Sequence, residues 1–122
     1  MLLQKENSND SVHIKAYSKG KITLNIGEYS DFIFLKDNQL AQIEKSLTFD
    51  SIDSKVLDFI ADNQPEVLVI GTGDTHKIMD ISLIKHLNDK GIAVEAMASR
   101  QACHTYEVLA HDKRSVNALI FI

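Results

Sequence analysis

The sequence predicts an α/β domain. Its expected architecture is a mixed central sheet with a C-terminal parallel βαβαβ unit flanked by helices and an N-terminal antiparallel hairpin. Two observations carry this. From Pro65 onward, short continuous apolar runs at 67–70, 92–97 and 116–122 alternate with amphipathic helical stretches. Such runs mark parallel strands buried on both faces. Earlier, Val12, Ile14 and Ala16 alternate with His13, Lys15 and Tyr17, and Ile22, Leu24 and Ile26 alternate with Lys21, Thr23 and Asn25. A period of two marks a strand with one buried face, and Ser18-Lys19-Gly20 supplies the hairpin turn between the two.

The remaining elements follow in chain order. Gly27 and Ser30-Asp31 interrupt the alternation, and residues 32–35 form a short apolar strand. Lys36-Asp37-Asn38 then turns the chain into a partner strand over 39–44. In the first helix Ser51 or Asp53 supplies the cap, since a side-chain oxygen there accepts the free amide protons of the first turn. Ile52, Val56, Leu57 and Ile60 share its apolar stripe. Pro65, the only proline, holds Gln64 away from helical geometry and helps to end the segment. The second helix, around 81–90, takes Asp80 as cap, Ile81, Leu83, Ile84 and Leu87 as buried stripe, and Gly91 as a left-handed stop. In the third, around 101–111, Ala102, Cys103, Tyr106, Leu109 and Ala110 face the core, and Lys113 and Arg114 suit the negative C-terminal end. Crossovers between parallel strands are right-handed. The three C-terminal strands should therefore share one sheet, joined antiparallel by at least one strand from the first half.

Composition narrows the function. With 122 residues the chain is expected to be one domain, 1–122, with 1–10 a loose N-terminus. A net charge of -4 argues against nucleic acid as partner, which needs a basic face. The absence of a long apolar run argues against stable membrane insertion, and no basic, apolar-cored leader is visible. The single cysteine fits a reducing compartment, so a cytoplasmic location is expected.

Candidate chemistry lies at the ends of the parallel strands. Gly71, Thr72 and Gly73 stand between a strand and a helix, where glycines can let the backbone approach a phosphate at a helix N-terminus. His76 occupies the third glycine position of a dinucleotide fingerprint, and the alternative is a turn needing glycine for shape alone. Glu95 is a carboxylate in an apolar strand, to be either paired structurally or raised in pKa as an acid or base. Ser99 and Arg100 open the last helix, where backbone dipole and guanidinium favour an anion. Together these six residues define an expected crevice, against the alternative of a filled structural junction. Cys103, His104 and Thr105 follow. Cys103 and His104 are adjacent, but neighbours on a helix do not face each other, and a buried free cysteine is usually an inert small hydrophobe. His104, Glu107 and His111 share a face, yet the histidines are two turns apart, ~10 Å along the axis. No metal site and no cofactor are expected, and a binding role is favoured over an enzymatic one.

Several segments taken in order carry a family resemblance. They are Pro65-Glu66-Val67-Leu68-Val69-Ile70-Gly71-Thr72-Gly73, Lys90-Gly91-Ile92-Ala93-Val94-Glu95-Ala96-Met97, Ala102-Cys103-His104-Thr105-Tyr106 and Arg114-Ser115-Val116-Asn117-Ala118-Leu119-Ile120. With a weaker match in the first half, the chain resembles a small Mth-type family of α/β domains of unknown function. Eukaryotic relatives of that family include a mitochondrial assembly factor for respiratory complex I. The chain departs from the family pattern at His104, Glu107 and Ser99, where Arg, Asn and Thr are usual. The resemblance implies a single α/β domain, no settled activity, and an interaction or assembly role on a larger complex associated with a membrane. On that reading a protein partner is expected through an exposed apolar or aromatic patch near Tyr17, Tyr29 or Phe32. The alternative is a small-molecule or anion binder, or an enzyme, using the crevice. Homo-oligomerisation through the apolar end of the chain is a third possibility, although a central place in the sheet explains residues 118–122 as well.

Overall fold

In the computed structural model, which describes residues 11–43 and 46–122, strands β1 (Ile14–Ser18), β2 (Lys21–Leu24) and β3 (Gly27–Tyr29) form an antiparallel meander. The first two are the expected hairpin. The third, too short to display a period of two, was not legible in the sequence; Gly27 pairs with Leu24 rather than ending the sheet. A further departure lies in β1, where pairing slips between Ile14 and Ala16. The extra residue reverses the inside–outside order. Ala16 therefore faces solvent and Tyr17 is buried, the opposite of the simple alternation.

The main sheet has the order β5-β4-β8-β6-β7, with β4 (Phe32–Lys36), β5 (Gln39–Ala41), β6 (Val67–Thr72), β7 (Ala93–Met97) and β8 (Val116–Phe121). β6 runs parallel to both β7 and β8. β4 joins β8 antiparallel, as expected of a first-half strand. Asp37 and Asn38 both have positive φ (53° and 62°), the left-handed pair that closes a tight two-residue hairpin into β5. The expected partner strand of 39–44 ends at Ala41, and Glu44 lies outside the described residues. β8 is central, between β4 and β6, which explains why it is buried along its whole length and apolar at every position but Asn117.

Alternate strand residues feed two cores. Val67, Val69, Ala118, Ile120, Ile33 and Leu35 meet the meander and helix α3 (Ser99–His111) on one face. Leu68, Ile70, Leu119 and Phe34 meet helices α1 (Ser54–Ile60) and α2 (Ile81–Asn88) on the other. Opposite faces are what right-handed crossovers require here, since the chain steps from β6 outward to β7 and then back across β6 to β8.

The caps resolve locally. Asp53 accepts from Val56 N at 2.9 Å and starts α1, whereas Ser51 ends a 3-10 turn (Phe49–Ser51) and accepts from Thr48 N. Asp80 accepts from Ser82 N at 3.0 Å and starts α2. In α2 Leu87 is fully buried, but Ile81 is 79% exposed. Six residues of helix put Ile81 and Leu87 roughly 120° apart, so the expected stripe excludes Ile81. Asn117, buried in β8, donates to Ile60 O at 2.8 Å and Asn63 Oδ1 at 2.7 Å. It fastens the end of α1 to the sheet.

Candidate functional site

The junction at the strand ends is built around Gly71. Gly71 is not a turn residue; it lies inside β6, opposite Met97 and Ile120. A Cβ there would stand 2.7 Å from Ser99 Oγ and 2.8 Å from Ile120 Cγ2. Glycine is needed so that the first turn of α3 can press against the strand. The Ser99 hydroxyl, buried, accepts from Gly73 N at 2.8 Å and donates to Phe121 O at 2.5 Å. Its own amide donates to Gly73 O at 2.8 Å. Thr72 Oγ1 donates to Thr75 O at 2.7 Å and accepts from Lys77 N at 3.0 Å. These polar groups are engaged with one another, and the first amide of α3 with them.

The other two residues of the expected crevice do not join this junction. Glu95 sits on β7, the edge strand, and is exposed rather than enclosed in apolar surroundings. Arg100 reaches across to the meander. Its Nη1 donates to Tyr17 O at 3.1 Å, and its guanidinium lies 5.3 Å from the Tyr17 ring centroid, a cation–π distance. Of the remaining candidates, Thr105 is half-buried and donates to Met97 Sδ at 3.3 Å, and His104 is exposed. Cys103 is buried, and burial, followed by the charge of Glu107, pushes its thiol up to about 12. A thiol held that firmly is a poor nucleophile at neutral pH.

Arg100, Cys103 and His104 instead meet Lys15, Tyr17 and Glu107 along a groove of about 310 Å³ between β1 and α3. Glu107 fixes the two elements together, accepting from Ile14 N at 2.9 Å and lying 3.3 Å from His13 Nδ1. Sequence reasoning missed Lys15 and Tyr17 here, because the bulge that turns Tyr17 inward has no local signature.

Of the residues near which an apolar patch is expected, Tyr29 and Phe32 border an open groove of about 420 Å³ with Phe34, Leu40 and Ile43. Tyr17 is buried, while Tyr29 and Phe32 are half-buried. Among the described residues the most exposed large apolar side chains are Ile78 (88%) and Ile81 (79%), at the start of α2. Ile78 and Met79 border a groove of about 230 Å³ with Phe49, Ile52 and Leu83, and Asp50 and Asp80 line it too. Lys77 lies over the Phe49 ring at 5.9 Å.

This architecture is a three-layered α/β domain whose strand-end junction is closely packed at Gly71 and Ser99 and whose open surfaces include two grooves flanking helices. The chain belongs to the family described as a protein of unknown function (DUF498/DUF598), whose model matches residues 14–121. It is 35% identical over 121 residues, 98% of each chain, to a protein of Francisella tularensis subsp. holarctica named "13 kDa major membrane protein". Over 55 residues it is 36% identical to the NADH dehydrogenase [ubiquinone] 1 alpha subcomplex assembly factor 3 of Xenopus tropicalis; that stretch is 45% of this chain and 30% of the assembly factor. The fold matches a Mth938-like domain of Bordetella pertussis with a TM-score of 0.77 at 23% identity, covering 99% of this chain and 92% of that one. No helix among the described residues is long and apolar enough to cross a membrane.

Proposed function

We propose that this chain is a non-enzymatic interaction protein that assists the assembly or stability of a larger, membrane-associated complex, and that it docks through the start of α2. The observation that carries this reading is the pair Ile78 and Ile81, 88% and 79% exposed, more than the other exposed large apolar side chains among the described residues, Ile26, Phe59 and Val108. Fully covering two such side chains contributes about 3–6 kcal/mol to association before its entropic costs. The adjoining groove offers apolar walls from Phe49, Ile52, Met79 and Leu83 with the carboxylates of Asp50 and Asp80 among them. It fits a partner protein that inserts an apolar side chain with a basic residue beside it. Relatives named as complex I assembly factor 3 support the assembly role, and the Francisella relative's name supports a membrane-associated setting.

The test is an affinity pull-down of the tagged chain from its own host, from soluble and membrane fractions, with mass spectrometry. It is run beside an Ile78→Asp/Ile81→Asp variant whose fold is checked by circular dichroism. A near-stoichiometric partner retained by the native chain and lost by the variant supports the reading. An identical set of retained proteins for both, or no partner in either fraction, rejects it.

A further inference from the structure

We propose that the open end of β4 is a docking site for an extended, apolar and basic segment of a partner protein, which adds to the sheet in line with β5. The first observation is an overhang. β4 starts at Phe32, but its pairing with β5 begins only at Phe34, opposite Ala41. The register identifies the groups this leaves over. Ile122 N donates to Asp31 O, and β4 pairs with β8 without a slip from Phe32 to Leu35. Along an antiparallel strand, the backbone groups of successive residues turn to opposite neighbours. Asp31, Ile33 and Leu35 therefore turn theirs to β8, and Phe32 and Phe34 turn theirs to the β5 side. Phe34 meets Ala41 there, whereas Phe32 makes no backbone bond on that side among the described residues. A strand edge with a free donor and acceptor is a template for another strand.

The second observation is the surface around that edge. The open groove of about 420 Å³ lies against it, walled by Tyr29, Phe32, Phe34, Leu40 and Ile43. These walls belong to both faces of the sheet. Tyr29 and Leu40 pack toward the α3 side, and Phe32 and Ile43 toward the side of α1 and α2. Side chains of an added strand alternate between the same two faces, so successive apolar residues of one extended segment would each be covered. A helix buries a single stripe and does not straddle an edge in this way. The third observation is charge. Asp31 is the only charged side chain in the described lining, and it is exposed. It is complementary to a lysine or arginine in the segment, and the net charge of -4 favours the same sign of partner. The opposite edge of the sheet, β7, instead exposes Glu95 within the strand, a charged side chain that discourages strand addition. The groove shares no lining residue with the one beside Ile78 and Ile81, so either proposal can fail alone.

The test is a phage-displayed library of random octapeptides panned on the native chain, after which the most enriched peptide is synthesised and titrated by heteronuclear NMR. The expected result is enrichment of apolar peptides containing lysine or arginine, with saturable shifts in the amides of Phe32, Ile33, Leu40 and Ala41. Methylating the peptide's backbone nitrogens one at a time should weaken binding about tenfold or more at the position that pairs with Phe32, because a ladder donor is lost there. Asp31→Lys changes an exposed side chain and leaves the bond from Ile122 N to Asp31 O in place. It should weaken binding severalfold. Failure of any peptide to enrich overturns the proposal, as do shifts confined to another surface. Tolerance of methylation at every position overturns it too, since the occupant would not be a strand, and so does equal affinity for Asp31→Lys. Shifts of the same amides on diluting the native chain alone would assign the edge to a second copy and overturn it as well.

Discussion

Replacing Gly71 by alanine adds one methyl group where three atoms already stand. The new Cβ would meet Ser99 Oγ at 2.7 Å, Ile120 Cγ2 at 2.8 Å and Ala102 Cβ at 3.1 Å. None of these is the free end of a long side chain. Ile120 and Ala102 are fully buried, and Ser99 is held by Gly73 N and Phe121 O. Relief requires α3 to move away from β6. Overpacking of this kind costs about 1–3 kcal/mol. Disturbing one of the buried Ser99 hydrogen bonds adds about 1 kcal/mol, so Gly71→Ala should destabilise by about 2–4 kcal/mol. Urea unfolding followed by circular dichroism measures this directly, and the melting temperature should fall by roughly 10 °C or more. The comparison is Gly73→Ala. Gly73 has φ +112°, and a Cβ added there would meet nothing within 4 Å, so its cost is backbone strain alone, about 1–2 kcal/mol. A Gly71→Ala variant within about 0.5 kcal/mol of the native chain, or one less affected than Gly73→Ala, would refute the close-packing account of this glycine.

Two further outcomes are expected. Burial holds the Cys103 thiol and the Tyr106 phenol at about 12 each, so both keep their protons more tightly folded than unfolded. Their contribution is complete below the ordinary thiol value of 9.0 and drains as pH rises from there toward 12. The urea midpoint should fall over that window, less steeply in Cys103→Ala, and identical slopes in the two proteins would contradict this. Asn117→Leu should cost about 1–3 kcal/mol, because Ile60 O and Asn63 Oδ1 lose a buried donor. In a double-mutant cycle, Asn63→Ala on top of it should add clearly less than it does alone, while full additivity would show that the two side chains are not coupled.

Much of the frame was legible because its signals are local. Continuous apolar runs announced β6 and β8, and helical spacing announced α1 and α3. Asp53, Asp80 and Gly91 marked element ends, Gly91 with φ +83°. The apolar end of the chain left a central strand and a subunit interface both open, and strand order decides for the central place of β8. β3 was hidden because three residues are too few to show a period.

The candidate site was less legible. Cys103 could be read as inert from its stripe, and its raised thiol follows from the burial that stripe implies. Glu95 could not be judged locally, since its exposure depends on β7 lying at the sheet edge, and edge position is a property of strand order. Gly71 and Ser99 were recognised as neighbours of a strand-end junction. That they press against each other is decided by the close approach of α3 to β6, which leaves only 2.7 Å between Ser99 Oγ and any Cβ at Gly71.

By itself, then, the sequence determined which segments are strands and helices, that the C-terminal half is a buried parallel unit, and that a free thiol lies inside. These depend on periodicity and on chemistry within a few residues. Only the tertiary structure decided that a slip in β1 turns Tyr17 inward beneath Arg100, that Ile78 and Ile81 stand bare, and that Glu95 faces outward. Each of these depends on contacts between residues far apart in the chain, through strand order, register and helix approach. No local pattern encodes them, because the free energy that selects them belongs to the packed whole.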